Sequence, residues 1–213
     1  MPDTLGYEAV VQMLRGAIAQ VKANHETLSK LDSVGGDGDH GTTMVRAMEQ
    51  IERVVSDGAA DMSTLLHDAG WAVMGVDGGA TGPLLGSLLM SMAEGAAEKD
   101  ALDTAALTAI FEAGLAGVQK RTRAQLGDKT ILDAFVPAVQ ALRGAAANGA
   151  APLAALQQAA AAAAEGAAET KKLQARFGRA KNIGAESIGA QDPGATSMAL
   201  LFKGFSEGAE SNA

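Results

Sequence analysis

Apolar residues recur at intervals of three and four positions along most of the chain, a spacing that places them on one face of an amphipathic α-helix. The clearest faces contain Val10, Leu14, Ala17, Ile18 and Val21, then Leu107, Ile110, Phe111, Gly114 and Val118, then Ile131, Phe135, Val139 and Leu142. No segment alternates β-branched and polar residues convincingly, so the pattern predicts no sheet.

From this spacing we predict helices at residues 4–29, 41–57, 61–75, 82–98, 103–122, 130–147, 152–175 and 194–208, and a short helical turn near 180–188. Within the alanine-rich tract at 145–168, Asn148-Gly149 and Pro152 favour the end of one helix and the start of the next. Neither a linker nor an internal repeat divides the chain. We therefore expect one all-α domain over residues 1–213, a bundle or closed barrel of about eight antiparallel helices.

Composition and charge restrict the possible functions. Hydrophobic residues make up 47% of the chain but aromatic residues only 3%, so we expect close helix packing through Ala, Leu and Met. The absence of cysteine excludes disulfides, thiolate metal sites and a cysteine nucleophile. A formal net charge of −8 argues against nucleic acid or an anionic membrane as the main partner. With no signal-peptide pattern and no membrane span, we expect a cytoplasmic protein.

In an up-and-down arrangement of helices, every second loop lies at the same end of the molecule. The loops with unusual sequences precede predicted helices two, four, six and eight, at 32–40, 77–83, 126–130 and 189–194. We therefore expect all four loops to meet at one end, where each leads into a helix N-terminus. Free N–H groups and the positive end of the helix dipole make such an end suitable for an anion.

The first of these loops contains three carboxylates, Asp32, Asp37 and Asp39, which are separated by glycines and followed by His40. No lysine or arginine in the segment offsets their mutual repulsion, whereas a divalent cation would, and carboxylate oxygens suit Mg²⁺ or Ca²⁺. We therefore predict a Mg²⁺ site, and since Mg²⁺ on such a loop commonly accompanies a bound phosphate, we expect a phosphate ligand as well. The alternatives are turn and capping chemistry alone, or a structural Ca²⁺.

The second and third loops carry weaker signals. The loop at 77–83 is rich in glycine, and Thr81 is the predicted cap of the helix that follows. In the third loop, Asp128 or Thr130 is the predicted cap, and Lys129 is expected to be exposed, with a phosphate contact as the alternative. The chain lacks the Gly-x-x-x-x-Gly-Lys-Ser/Thr phosphate-loop pattern.

The fourth loop places Asp192 as the N-cap of the last helix and Pro193 at its first position. Upstream of it, Arg179 is a candidate contact for an anion, although a surface arginine is the ordinary interpretation. Trp71, on an apolar helix, is predicted to lie in the core.

Taken together, these segments resemble the nucleotide-binding L subunit of dihydroxyacetone kinases, which also forms the C-terminal domain of single-chain glycerone kinases. The matching segments are GDGDHG at 36–41 with Asp32 upstream, GGATGP at 78–83, GDKTILD at 127–133, and GRA at 178–180 followed by SIGAQDPGATS at 187–197. They occur in the family's order and extend over nearly the whole chain, which makes the combination specific.

The resemblance implies an all-α barrel of eight helices that holds ADP or ATP at one end through two Mg²⁺ ions. It implies that Asp32, Asp37 and Asp39 are the Mg²⁺ ligands. The residues that it implies for the nucleotide are His40, Gly41, Thr42, Thr43, Ala80, Thr81, Gly127, Thr130, Arg179, Asp192 and Gly194. The family usually has serine in place of Thr81, and many members have asparagine near Thr43.

The family also implies partners. Its ketose substrate is held covalently by a histidine on a separate K subunit, so this chain would be half of an enzyme. The sequence is compatible with two different phosphoryl donors. Either ADP is a fixed coenzyme rephosphorylated by a phosphohistidine protein of the phosphotransferase system, or ATP exchanges freely in an ATP-dependent triose or tetrose kinase. We favour the first, because stand-alone L chains commonly belong to such systems; a nucleotide-dependent regulatory adaptor is the alternative from another class.

Overall fold

The apolar helix faces pack against one another in a closed ring. The computed structural model describes residues 4–212, and within them the ring consists of α1 (Tyr7–Ala23), α3 (His40–Asp57), α4 (Met62–Met74), α5 (Thr81–Ala96), α6 (Thr104–Arg121), α7 (Leu132–Ala147), α8 (Pro152–Glu169) and α9 (Pro193–Ser211). Each of these helices packs against the next, and α9 returns to α1. The short α2 (His25–Asp32) packs against α3 and α9. The predicted all-α barrel is confirmed.

Aromatic residues fill the interior of the ring. Phe111 on α6, Phe135 on α7, and Phe202 and Phe205 on α9 are all buried. Their neighbouring ring centroids lie between 5.0 Å and 5.9 Å apart in tilted or edge-on arrangements, which favour attraction between the rings. Four of the five phenylalanines of the chain are thus concentrated where three helices face one another.

Glycines close the ring where α1 meets α9. A Cβ atom built at Gly16 would lie 2.0 Å from the Gly204 carbonyl oxygen, and one at Gly204 would lie 2.3 Å from the Ala17 nitrogen. A Cβ atom at Gly208 would lie 2.0 Å from the Gln12 carbonyl oxygen. All three clashes involve backbone atoms, so the two helices approach this closely only because these positions lack side chains.

Two predictions for the first half of the chain are wrong. The helix predicted at 4–29 is divided into α1 and α2 at Asn24 (φ −115°, ψ 11°), whose side-chain amide donates to the Gln20 carbonyl at 2.8 Å. A short amide side chain that bonds to the backbone in this way competes with continuation of the helix. In addition, β1 (Leu5–Gly6) and β2 (Ala101–Leu102) form an antiparallel pair that is too short to show alternation.

Later boundaries differ less from the prediction. The helix predicted at 152–175 ends at Glu169 and continues as a 3₁₀ turn at Thr170–Lys172. The helical turn expected near 180–188 is confirmed as a 3₁₀ segment, Arg179–Ser187, interrupted by non-helical backbone at Gly184. Within residues 4–212, no helix is long and apolar enough to cross a membrane. The expectation that no signal peptide is present rests in part on residues 1–3, which lie outside the described residues.

Trp71 does not lie in the core, as had been expected from its apolar surroundings. It is 68% exposed, whereas Ala69 and Val73 on the same helix are buried completely. Two positions along an α-helix correspond to a rotation of about 200°. Trp71 is therefore on the opposite side of α4 from the face that the ring buries.

Candidate functional site

The four unusual loops meet at one end of the ring, as predicted, and enclose a cavity of about 650 Å³. Residues from the segments 31–40, 78–81, 122–131 and 177–194 line it. These loops precede α3, α5, α7 and α9, so the first turns of alternate helices point toward a common space. Apolar side chains from within the helices complete the wall, among them Leu84, Leu85, Met198 and Leu201.

The three carboxylates of the first loop converge at the edge of this cavity. One oxygen atom from each of Asp32, Asp37 and Asp39 lies within 4.8 Å of the others. The chain turns tightly around Asp32, whose Oδ2 accepts a hydrogen bond from the Gly38 nitrogen at 2.9 Å. A Cβ atom at Gly36 would lie 2.9 Å from the Asp32 carbonyl oxygen, a backbone atom, so this turn favours glycine. The donor set consists of carboxylate oxygens, which suits a hard divalent cation.

A cationic side chain already lies against this cluster. The Arg179 guanidinium forms an ion pair with the Asp37 carboxylate, and its Nη1 is 3.8 Å from Asp39 Oδ1. Partial burial raises the pKa of Asp37, but backbone hydrogen bonds and the charge of Arg179 outweigh this effect and lower the pKa below its ordinary value. Arg179 thus contacts anionic groups, and the cluster favours positive charge.

His40 connects three helix N-termini. Its Nε2 lies 2.6 Å from Ser197 Oγ, and because that hydroxyl donates to the Pro193 carbonyl at 2.9 Å, the imidazole is the donor. On the other side of the ring, Nδ1 lies 3.5 Å from Thr81 Oγ1. Burial lowers the pKa of His40, although nearby carboxylates oppose this effect. His40 is therefore a neutral imidazole that joins the starts of α3, α5 and α9.

Lys129 is buried, which contradicts the expectation of an exposed side chain. It is 4% exposed and lines the cavity, and its Nζ donates to the carbonyls of Thr170 at 2.7 Å and Ala190 at 2.6 Å. Burial lowers the pKa of Lys129, while the charges of Asp192 and Asp133 oppose this effect. The sequence contains no signal for this burial, because a lysine between two polar residues in a loop is ordinarily at the surface.

Asp192 is the N-cap of α9, as predicted, and Pro193 is the first residue of that helix. The Asp192 Oδ2 accepts from the Ala195 nitrogen at 2.7 Å, and the Asp192 nitrogen donates to Thr170 Oγ1 at 2.9 Å. Burial raises the pKa of Asp192 to about 7, although the hydrogen bonds and Lys129 oppose this change. The cap therefore holds a carboxyl group whose charge is costly in this position.

The stability of the wild-type protein relative to Asp192→Asn should decrease as the pH rises from about 4 to about 7. Below the ordinary pKa of 3.8 both folded and unfolded chains hold this proton, whereas up to about pH 7 only the folded chain retains it. The contribution of this proton to the free energy of unfolding is therefore lost as the pH rises through that window. At about 1.4 kcal/mol for each unit by which the pKa is raised, the loss amounts to a few kcal/mol. Asparagine also caps helices but does not titrate. Denaturant unfolding of both proteins across this range measures the effect, and a constant difference would contradict it.

The predicted cap of α5 is wrong. Ala80 is the N-cap residue and Thr81 is the first residue of the helix, and no side chain caps it. The Thr81 hydroxyl instead faces His40 in the cavity. A glycine-rich approach to a helix does not specify which residue begins it.

Neither Asp128 nor Thr130 is the N-cap residue of α7, which is Ile131, although the Thr130 hydroxyl accepts from the nitrogen of the first helical residue, Leu132, at 3.3 Å. Asp128 accepts from the Gln125 nitrogen at 2.8 Å, within its own loop. The buried Asp133 holds this loop, because its carboxylate accepts from Gly127 N at 2.6 Å and Thr130 N at 2.7 Å. The loop is thus folded back onto the first turn of the helix that follows it.

The cavity brings together most of the residues that the sequence suggested for the nucleotide. Its lining includes His40, Ala80, Thr81, Thr130, Arg179, Asp192 and Gly194, but not Gly41, Thr42, Thr43 or Gly127. Gly41 lies where α3 crosses α2, and a Cβ atom there would be 1.9 Å from the His25 carbonyl oxygen. Thr43 is buried against Gly78, where a Cβ atom would be 2.3 Å from Thr43 Oγ1. These two positions serve the packing that holds the loops.

Sequence reasoning missed several apolar members of the site. Val34, Phe177 and Ile183 lie on loops and line the cavity beside Met198 and Leu201 of α9. Ser197, the partner of His40, was also missed. Apolar residues in helical register carry the same signal whether they face the core or a cavity, so only the tertiary structure separates them.

The fold and the cavity define an all-α helical barrel with a cavity that alternate loops enclose at one end. The chain belongs to the DAK2 domain family, whose model matches residues 34–207.

Relatives of two lengths match the chain. It is 38% identical over 184 residues to the ADP-binding subunit DhaL of PEP-dependent dihydroxyacetone kinase 1 of Listeria innocua, a match that covers 86% of this chain and 87% of that one. It is 39% identical over 192 residues to L-erythrulose 1-kinase of Mycolicibacterium smegmatis, a match that covers 88% of this chain and 33% of that one. The crystal structure of the dihydroxyacetone kinase from C. freundii in complex with AMP-PNP and Mg²⁺ is similar, with a TM-score of 0.69 and 28% identity over 94% of this chain and 33% of that one. The chain thus spans about a third of the two longer proteins.

Proposed function

We propose that this chain is the nucleotide-binding subunit of a dihydroxyacetone (glycerone) kinase, and that its cavity holds ADP or ATP as a Mg²⁺ complex. The observation that carries the proposal is that one cavity is lined by the first residues of α3, α5 and α9 and by Asp32 and Asp39, on which the third carboxylate, Asp37, converges. A volume of about 650 Å³ is in the range of small-molecule and cofactor sites. The Listeria innocua relative, an ADP-binding subunit by name, supports the choice of nucleotide.

Asp32, Asp37 and Asp39 would hold the metal. Ligand oxygens on opposite sides of Mg²⁺ are about 4.2 Å apart, close to the 4.8 Å spread of these carboxylates, so small side-chain rotations suffice. When bound, Mg²⁺ neutralises phosphate charge and charge that develops during phosphoryl transfer. Without it, the acidic loop of a chain with a net charge of −8 would repel a polyphosphate. The expectation of two ions stays a prediction.

The remaining cavity residues would position the nucleotide. The helix N-termini that begin at His40, Thr81 and Pro193 present N–H groups to the phosphates, and Arg179 adds a positive charge. Phe177 and its apolar neighbours offer a surface for the base. The other residues that the resemblance implied do not line the cavity, and in this proposal they act through the shape of the loops: Gly41, Thr42, Thr43 and Gly127.

The reaction passes a phosphoryl group through the nucleotide to a ketose held on a separate K subunit. A phosphohistidine protein of the phosphotransferase system transfers the group to bound ADP, and the resulting ATP then phosphorylates a ketose hydroxyl, which loses its proton. The relative described as PEP-dependent supports this order. The match to L-erythrulose 1-kinase favours a second candidate, a tetrose kinase in which ATP exchanges freely.

We also propose that residues 1–213 act as a single nucleotide-binding domain. The ring closes between its first and last helices, so neither half of the chain buries its apolar faces alone. The cytoplasmic location stays a prediction.

The nucleotide content of the purified protein tests the proposed function. We expect ADP to copurify and to exchange with labelled ATP over hours in the presence of Mg²⁺, because the site would retain it as a coenzyme. Exchange within seconds would favour the ATP-dependent kinase. Tight binding without phosphoryl transfer to any K partner would indicate the regulatory adaptor. A protein that binds no nucleotide would contradict the central proposal.

A further inference from the structure

The segment between α8 and α9, residues 170–192, is the longest connection in the barrel and carries part of the site. We call it the α8–α9 loop. Its middle contributes Phe177, Arg179 and Ile183 to the cavity. Loops of this length in compact domains are uncommon and commonly functional, and without fixed ends they are free to adopt many conformations. The position of Arg179 therefore depends on what holds the ends of this loop.

The two ends of the loop are joined directly, by hydrogen bonds from Asp192 N to Thr170 Oγ1 at 2.9 Å and from Gly189 N to the Lys171 carbonyl at 2.8 Å, and also through one ammonium group. Lys129, on the loop before α7, donates from Nζ to the carbonyl of Thr170 at 2.7 Å and to the carbonyl of Ala190 at 2.6 Å. These two acceptors lie twenty positions apart in the sequence, at the beginning and near the end of the α8–α9 loop. The same contact connects the loop to the adjoining wall of the cavity.

The backbone of Lys129 is adapted to this contact. Its φ of 61° is in the left-handed region, which residues other than glycine rarely occupy and which persists only where the surroundings stabilise it. The side chain is 4% exposed, and the neighbouring carboxylates of Asp133 and Asp192 oppose the cost of burying its charge. A solvated surface lysine needs none of these features.

We propose that Lys129 is a positioning residue, which closes the base of the α8–α9 loop and thereby holds Arg179 over the cavity before a ligand binds. A loop that is ordered in advance costs less conformational entropy on binding, so affinity is higher. That the ligand is Mg²⁺–ADP rests on the proposed function, whereas the anchoring of the loop does not.

Lys129→Met tests this role, because it keeps the aliphatic stem and removes the donor. In the ligand-free protein, we expect hydrogen–deuterium exchange to become at least about tenfold faster in residues 173–190 and to stay unchanged in α1 and α9. The affinity for Mg²⁺–ADP, measured by calorimetry, should fall about tenfold or more, since the carbonyls of Thr170 and Ala190 lose the donor that holds the ends of the loop. Lys129→Arg, which keeps charge and donors, should recover part of the protection.

Lys171→Met is the matched control, because Lys171 is an exposed lysine on the same loop and should leave both measurements unchanged. Loss of affinity with unchanged exchange would overturn the proposal, because Lys129 would then contact the ligand only. Faster exchange throughout the barrel, loss of folding, or equal effects of the Met and Arg variants would overturn it in favour of a general structural role. If the wild type binds no nucleotide, the proposed function fails, while the exchange rates still decide whether Lys129 anchors the loop.

Discussion

Asp37→Ala and Asp39→Ala should each reduce the affinity for Mg²⁺–ADP by about a hundredfold or more while the helix content stays unchanged. Each substitution removes one of three carboxylates that converge at the cavity. The side chains of Asp37 and Asp39 are 49% and 44% exposed, so little packing is lost. Calorimetric titration with Mg²⁺–ADP measures the affinity, and circular dichroism measures the helix content. Asp32→Ala is a less specific test, because Asp32 also holds the loop through Gly38.

Asp57→Ala is a suitable control for this experiment. Asp57 is an exposed carboxylate at the last position of α3, whereas Asp37 and Asp39 precede the first. It lies at the end of the helix away from the cavity, so its removal should leave affinity unchanged. Normal binding of Mg²⁺–ADP by Asp37→Ala or Asp39→Ala would show that the metal assignment is wrong.

Gly204→Ala should destabilise the protein by about 3 kcal/mol or more, because it forces apart the two helices that close the ring. A Cβ atom at Gly204 would lie 2.3 Å from Ala17 N and 2.4 Å from both Ala17 Cα and the Gly16 carbonyl carbon. None of these backbone atoms can rotate away as a flexible side chain would. In a chain of this size, the loss corresponds to a decrease in Tm of roughly 6 to 12 °C. Thermal unfolding followed by circular dichroism measures it.

Gly144→Ala is the matched control for that experiment. Gly144 is also within a helix, α7, but a Cβ atom there would meet nothing within 4 Å. Alanine should therefore stabilise the helix by up to about 1 kcal/mol through its higher helix propensity. If both alanine variants had the same Tm, the close approach of α1 and α9 would not be the feature that limits stability.

The location of the cavity was predictable because it follows from the order of the helices. When helices alternate in direction, loops before every second helix reach the same end, and four unusual loops fall in that register. The roles of individual residues within those loops were less predictable. Thr81 and Asp128 have suitable side chains for capping, yet the backbone places them elsewhere, and Trp71 lies on the exposed side of an apolar helix.

Helical periodicity, glycine positions and the spacing of three carboxylates are local properties, so the all-α ring, the end at which the loops meet, and the acidic loop were all predictable from the amino-acid sequence. Contacts between residues far apart in the chain depend on how the closed ring brings its loops together. The burial of Lys129 between Thr170 and Ala190, the contact of His40 with Ser197 and that of Arg179 with Asp37 therefore became apparent only in the three-dimensional arrangement. In each case the chemistry of the side chain permits several partners, and the packing of the helices and loops selects among them.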